Sequence, residues 1–573
     1  MRQPAISATG LCALRNMIEA TSRRTKFMKP APAIAALPLL LAGCGGGSNS
    51  SGTTSQPPPP PPPPPPGPTL DPQYRVSTAS PFVTGCDGTA AAGTLYVNAE
   101  VEPSLAINPL NTQNIVAAWQ QDRWSNGGAR GILTAASMDG GKTWTEQPVA
   151  FSRCGGGTPE NGGDYERASD PWLSVAPDGT LHQIAIAFSG GLLQPGSVSA
   201  VVTSRSLDGG ITWSPPHTLI RDSASSFNDK CTITADPVTP HYVYAVWDRV
   251  VSATAGPTAF ARSTDDGATW SAPRTIYDPG PTNQTISNLI VVLPNGALVN
   301  LFLQIDTAAN NTFSSALKVI RSNDNGVTWS APSRIADNLA VGTRDPDTGA
   351  GVRDASLVPQ IAVAPSGDLY VVWQDARFSN GARDAIALSR SSDGGLTWSA
   401  PARVNSNASV AAFVPSVHVR ADGQVGVSYF DFRPNTSSTA TLLTDYWLAR
   451  STNGSTWSES QVGGPFDLTL APLSAGSDAA DYFLGDYQAL LSTGNVFMPL
   501  FAQTNAGAGN RSDVFFAPAV SATAIVAATQ RVETTERYAI TADLLRRVSD
   551  NLARAREAPP RARAATRRAS RRH

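Results

Sequence analysis

The 573-residue chain carries 43 Lys and Arg against 45 Asp and Glu, a formal net charge of −2, with 15% charged and 41% hydrophobic residues. Near-neutral charge excludes nucleic acid as the main partner. The 48 Gly and 46 Pro suit a turn-rich β chain and disfavour a helical one, while the apolar content suffices for a sizeable core.

Residues 1–44 form a signal region, with Met28 as an alternative start. From Lys29 a short apolar run leads to Leu41-Ala42-Gly43-Cys44; it is too short to span a bilayer as a helix. The stretch resembles a bacterial lipoprotein signal. That resemblance implies export, lipidation of Cys44, and residence at the outer membrane or cell surface. Residues 45–70 are a linker of Gly and Ser followed by ten prolines, Pro57 to Pro66, flexible first and then a stiff polyproline II rod of about 3.1 Å per residue.

Cys12 falls in the signal, and lipidation would occupy Cys44, which leaves Cys86, Cys154 and Cys231. Outside the cytoplasm two of these can pair; Cys86 with Cys154 is the preferred pair. No His stands at ligand spacing near them, so no metal site is expected.

From 71 to 525 the chain repeats itself. "SMDGGKTW" (137–144) returns as "SLDGGITW" (206–213), "STDDGATW" (263–270), "SNDNGVTW" (322–329) and "SSDGGLTW" (391–398), with a shortened "STNGSTW" ending at Trp457. The boxed tryptophans lie 57 to 69 residues apart. Around each box runs a longer frame: strand, Pro/Gly/Asp turn, strand, polar loop, strand, box. In the fifth copy the strands are read at Gln360–Ala364, Leu369–Gln374 and Ala385–Arg390. The frame starts near Pro103, Asp170, Ala235, Asn288, Pro359 and Pro415, and a seventh copy without a box begins at Gly485.

Four short strands repeated on that scale predict an all-β propeller of four-stranded antiparallel sheets, seven blades with six as the alternative. The last copy shows three strands, so a strand within 74–85 is expected to complete it and close the ring. In the box, Asp393 is expected to accept hydrogen bonds from turn amides, Gly395 to supply a positive φ, and Trp398 to pack against the blade. The box is therefore read as a folding device.

Repeated Ser-x-Asp-x-Gly-x-Thr-Trp resembles the Asp-box, or bacterial neuraminidase repeat, of the sialidase superfamily, over roughly residues 95–520. The resemblance implies that ligands meet the loops before each first strand and after each second strand. A sialidase needs arginines to clamp a carboxylate, a general acid and a tyrosine nucleophile. "GDYQALLSTGNVFMPLF" resembles the segment carrying the nucleophile and implies Tyr487. "WQDARFSNGARDAIALSRSSDGGLTW" implies Arg377 and Asp384. Glu166 is the hub-loop acid assigned to the catalytic set, and Arg167 and Arg353 are the arginines to test as clamps. Glu102 stands where the family carries a clamp arginine, and seven units fit the sialidase ring poorly. Binding of an extracellular glycan or envelope protein without turnover is therefore the leading expectation, with exo-α-sialidase-type hydrolysis the alternative.

"WQQDR" (119–123), "WDR" (247–249), "WQDAR" (373–377) and "YFDFR" (429–433) are read chiefly as internal Asp–Arg braces. "DPDTG" (345–349) is a weak calcium-like string that lacks the full loop spacing; it is read as a surface turn, and no cofactor is expected. The chain is expected to be monomeric and held at the membrane through its lipid. Residues 526–573 form a basic tail: from Arg531 onward, twelve Arg face five acids. Within it, Tyr538, Leu544, Leu545, Val548 and Leu552 have helical spacing, and the Arg/Ala/Pro-rich end is expected to be disordered.

Overall fold

The computed structural model describes residues 70–88, 93–252, 255–475, 480–507, 511–519, 526–531 and 540–557. The chain divides into two compact units at Pro65/Pro66, and every described residue belongs to the second. The signal, Cys44, the proline run, Tyr538 and the last arginines lie outside the described residues.

The described chain is all-β, built from multiple four-stranded antiparallel sheets in a propeller-like arrangement. Unit I pairs Leu95–Ile107, Ile115–Trp124, Ala129–Ser137 and Thr145–Pro148. Unit II pairs Arg167–Val175, Leu181–Ser189, Val198–Ser206 and His217–Ser223. Unit III pairs Phe227–Ala235, Val243–Val250, Thr258–Ser263 and Arg274–Tyr277. Its first strand ends at Ala235, where the sequence reading starts the frame. Pro237 and Pro240 lie in the hairpin between strands one and two.

Unit IV pairs Gln284–Val292, Leu298–Thr307, Phe313–Ser322 and Ser333–Asp337. Unit V pairs Gln360–Val363, Leu369–Asp375, Ala385–Ser391 and Ala402–Arg403. Unit VI pairs Ala412–Val419, Val425–Asp431, Leu443–Ser451 and Thr456–Asp467. Unit VII pairs Ala489–Thr493, Val496–Thr504 and Ser512–Phe516, and Tyr74–Arg75 joins as its outer strand, Tyr74 opposite Phe516.

The middle strands are buried on both faces because neighbouring sheets pack face to face. Ile115–Trp124 has no exposed position at all, so its apolar run shows no alternation. Trp119, Trp247 and Trp373, on the second strands of units I, III and V, are fully buried plates. The first strands of successive units touch in cyclic order, and that of unit VII meets that of unit I.

Each box sits between strands three and four. Asp393 accepts from the amides of Leu396 (3.0 Å) and Thr397 (2.9 Å), and the Thr397 and Ser391 hydroxyls donate to its carboxylate. The same threonine amide and hydroxyl bonds recur at Asp139, Asp208, Asp265 and Asp324. These donors hold Asp265 and Asp324 down at about 2. The boxed tryptophans are half-buried, except the buried Trp457.

The box also joins units. Its left-handed glycine, two places after the Asp, abuts the preceding unit: Gly210 meets Val116, Gly267 meets His182, Gly326 meets Phe260, and Gly395 meets Val319. For unit I the preceding unit is VII, and a Cβ on Gly141 would stand 2.1 Å from Phe516.

Cys86 and Cys154 form a disulfide, and Cys231 is a buried free thiol. Beyond unit VII the chain returns to the fold. Val526–Arg531 adds a fifth strand outside unit VI, and helix α1 (Ala542–Glu557) docks through Leu544, Val548 and Leu552 into the core shared by units IV and V. Those three share one face at i, i+4 and i+8, whereas Leu545 turns outward.

Candidate functional site

The first strands open with β-bulges. Pairing shifts register between Val101 and Ser104, Ser169 and Trp172, Asp229 and Thr232, Ile286 and Leu289, and Phe413 and Ser416. The residue inside each bulge is left-handed: Glu102, Asp170, Lys230, Ser287 and Val414, with φ from 46° to 61°. Bulges re-aim side chains, and three charged ones from units I, II and III converge with Asp486 from the approach to unit VII. Lys230 Nζ lies 3.1 Å from Asp170, 2.6 Å from Asp486 and 4.0 Å from Glu102. Side chains from four sheets can meet only where all the sheets face one another, at the hub.

Arg353 completes the cluster from the loop before unit V, with a two-pronged bond to Asp486 (2.9 and 2.6 Å) and a third to Ser474 (3.2 Å). Its segment is zipped to the approach to unit VII by a Val352–Tyr482 bridge and the Arg353 amide donating to the Tyr482 carbonyl. Phe483 is stacked by both Arg353 and Arg123, each guanidinium 4.7 Å from the ring centre.

Burial, followed by repulsion from Asp170, raises Glu102 to about 8. Its carboxyl receives the Gln120 amide. Burial alone would raise Asp486 too, but Arg353 and Lys230 outweigh it and hold Asp486 far below the usual range. Burial lifts Asp229 to about 6. At neutral pH, with Glu102 protonated, three cations (Lys230, Arg353 and Arg123) therefore face three carboxylates (Asp170, Asp486 and Asp229). The cluster balances itself.

Tyr487 lies beside this knot, 4% exposed. Its hydroxyl donates to the Pro171 carbonyl at 2.9 Å, and Trp172 packs edge-on at 5.2 Å. Burial, then the Glu102 and Asp170 carboxylates, push the phenol well above its ordinary value. A cavity between the first strands touches Asp170, Trp172, Lys230, Ser287, Val358 and Tyr487.

Of the residues given catalytic or clamp roles from sequence, Tyr487 and Arg353 meet at the hub, beside Glu102, and the others do not. Asp384 is buried in unit V, accepts the Val341 (2.9 Å) and Gly342 (3.0 Å) amides, and is raised to about 8 by burial and then Asp354. Glu166 accepts the Gly190 amide at 3.0 Å. Arg167 bonds Asn126 (2.8 Å) and the Gly127 carbonyl (2.7 Å) and stacks on Trp124, clasping units I and II. Arg377 grips Asp375 (2.8 and 2.7 Å) and the Asp337 carbonyl. None of these four bonds to Tyr487. They were assembled by local motif, whereas the hub draws residues from separate units.

The Asp–Arg brace forms in units V and VI, where Arg433 reaches Asp431 at 2.6 Å. It does not form in the other two. Arg249 pairs with Asp222 and leaves Asp248 to the Ser287 amide, and Asp122 binds Arg130 while Arg123 goes to Phe483. In "DPDTG", Asp345 accepts the amides of Asp347 and Thr348, closing its own turn. Among the described residues no group of three or more His, Cys, Asp or Glu is placed to hold a metal ion.

Sequence reading missed Phe483, Trp172 and the partnership of Lys230 with Glu102. A column alignment of the repeat could have found the last, since Glu102, Asp170, Lys230, Ser287 and Val414 occupy one position of the first strand in their units.

No family model and no curated protein matches the chain. It is similar to a solved Dyadobacter fermentans protein of unknown function (16% identity, TM-score 0.42, 79% of this chain and 99% of that one). It is also similar to a Penicillium chrysogenum α-L-arabinanase (15%, 0.41, 63% and 94%) and to the Hadza microbial sialidase Hz136 (18%, 0.40, 72% and 74%).

Proposed function

We propose that the chain is an exported, lipid-tethered propeller of seven blades that binds an extracellular glycan or envelope protein without turning it over. It acts as a monomer without a cofactor, with the propeller spanning 71–525. Seven four-strand units, the cyclic contacts of their first strands and the closing Tyr74–Arg75 strand support the blade count.

The observation that carries the binding reading is the state of Tyr487. A tyrosine nucleophile needs an exposed hydroxyl and an acid free to take its proton. Here the hydroxyl is buried and spent on the Pro171 carbonyl. Glu102 is already protonated below about 8, and Asp170 and Asp486 are held by Lys230. The Arg353 guanidinium spends its fork on Asp486.

Exo-α-sialidase-type hydrolysis is the second reading, favoured by one fact: Glu102, Asp170 and Asp486 all bear on Tyr487. The chain from Pro66 onward, incubated at mildly acidic pH with a fluorogenic sialoside and with a linear arabino-oligosaccharide, separates the two. Neither substrate is expected to be cleaved, and a panel of immobilised envelope glycans and proteins is expected to retain wild type and Tyr487→Phe alike. Turnover that disappears in Tyr487→Phe reverses the conclusion.

A further inference from the structure

We propose that the box face of the propeller is a lipid-docking surface, so that the hub face points away from the membrane. The inference rests on the Cys44 anchor and goes beyond it by giving the domain an orientation. The strand directions supply the first argument. Tyr74 pairs with Phe516, the last residue of the third strand of unit VII, and Phe516 packs against the boxed Gly141. Third strands run from the hub face to the box face. The chain coming from Cys44 therefore enters the propeller at its box end and climbs toward the hub.

The second argument is what that end exposes. Leu110, at the tip of the first hairpin of unit I, Met138 and Leu207, and Ile211, Val327 and Leu396 are between 42% and 74% exposed. The last five occupy the variable positions of four boxes, where the turn chemistry of Ser, Asp, Gly and Thr leaves the residue type free. The tips are neighbours at least in part: Met138 lies 3.0 Å from the Cβ position of Gly209, and Asn114 of the first hairpin bonds the Gly209 carbonyl at 2.9 Å. These side chains stand on the same face of the propeller, and shallow insertion of such side chains is how interfacial proteins lie on lipid.

The third argument is tethering. Acylation of Cys44 would hold the propeller close to lipid. The box face then meets lipid at high effective concentration, and weak contacts suffice.

The full acylated chain, reconstituted in phosphatidylethanolamine/phosphatidylglycerol vesicles carrying nitroxide lipid, tests this. An environment-sensitive thiol label is placed at Leu207→Cys, Leu396→Cys or, on the hub face, Ala309→Cys. The other thiols are acylated, disulfide-bonded or buried. Labels at 207 and 396 are expected to lose emission to the nitroxide, and the label at 309 to keep it. Emission retained at all three sites, or lost at 309, overturns the docking face. So does a change at 207 and 396 that follows protein density without nitroxide lipid, since it assigns the face to a second copy. Intact mass separates the two failures: an unacylated Cys44 overturns the anchor itself, whereas an acylated chain with unquenched tips overturns the docking face alone.

Discussion

Lys230, in the third unit, reaches Asp486, at the start of the seventh, with 2.6 Å between Nζ and the carboxylate although 256 residues separate them. Asp170 takes the same ammonium from unit II. The hub is thus tied across its axis by one lysine.

Replacing Lys230 with Met removes the cation and leaves Asp170 and Asp486 buried side by side. Breaking one partner out of a buried pair costs about 3–5 kcal/mol, and Arg353 remains to offset part of this. Urea unfolding of Lys230→Met is expected to show a loss of that order with an unchanged m-value. A loss no larger than that of a surface lysine would mean the knot is not structural.

The folded pKa of Glu102, about 8, lies above its ordinary 4.5. Between those values the unfolded chain releases a proton that the folded chain retains, so stability falls as pH rises. The contribution is whole below about 4.5 and is lost as pH climbs through about 8. Glu102→Gln is expected to flatten the pH 5 to 8 slope of unfolding free energy, although Asp384, also near 8, keeps a residual slope. Parallel slopes in the two proteins would refute the assignment.

Gly141 and Gly423 are both left-handed, at φ 77–88° for the box pair around Gly141 and 83° for Gly423, but only Gly141 has a neighbour where a Cβ would go. Gly423→Ala meets backbone strain alone, about 1 kcal/mol. Gly141→Ala adds overpacking against Phe516, typically 1–3 kcal/mol more. Thermal melts of the pair isolate the I–VII contact, and equal losses would show that the seam tolerates a methyl group.

The Cys86–Cys154 disulfide closes a 68-residue loop that ties the entering chain to the end of unit I. Reduction, or Cys154→Ser, is expected to cost about 2–4 kcal/mol. Melting curves with and without reductant check this, with Cys154→Ser insensitive to reductant.

Much of the architecture was legible because it is local and repeated. Ser391, Asp393, Gly395 and Thr397 satisfy one another within seven residues, so the box could be read as a turn clasp, and periodic strands around it gave the four-strand unit. The closing strand was foreseen for the same reason: three strands in unit VII left an edge to cover. The site was far less legible. Asp384 and Arg377 looked like a pair with Tyr487 by motif, yet both brace loops of unit V. The first strand of unit III ends at Ala235, where the frame was expected to start.

Sequence by itself determined the clasps, the strand period and the near-neutral charge, since each depends on neighbours in the chain or on composition. Only the tertiary structure decided which charges meet. Glu102, Asp170, Lys230 and Asp486 lie in four different units, and their convergence depends on bulges that turn the first three side chains inward and on sheets that face a common hub. It also decided that the Tyr487 hydroxyl is spent on Pro171, because hydrogen-bond partners and burial are properties of packing and leave no local trace in the chain.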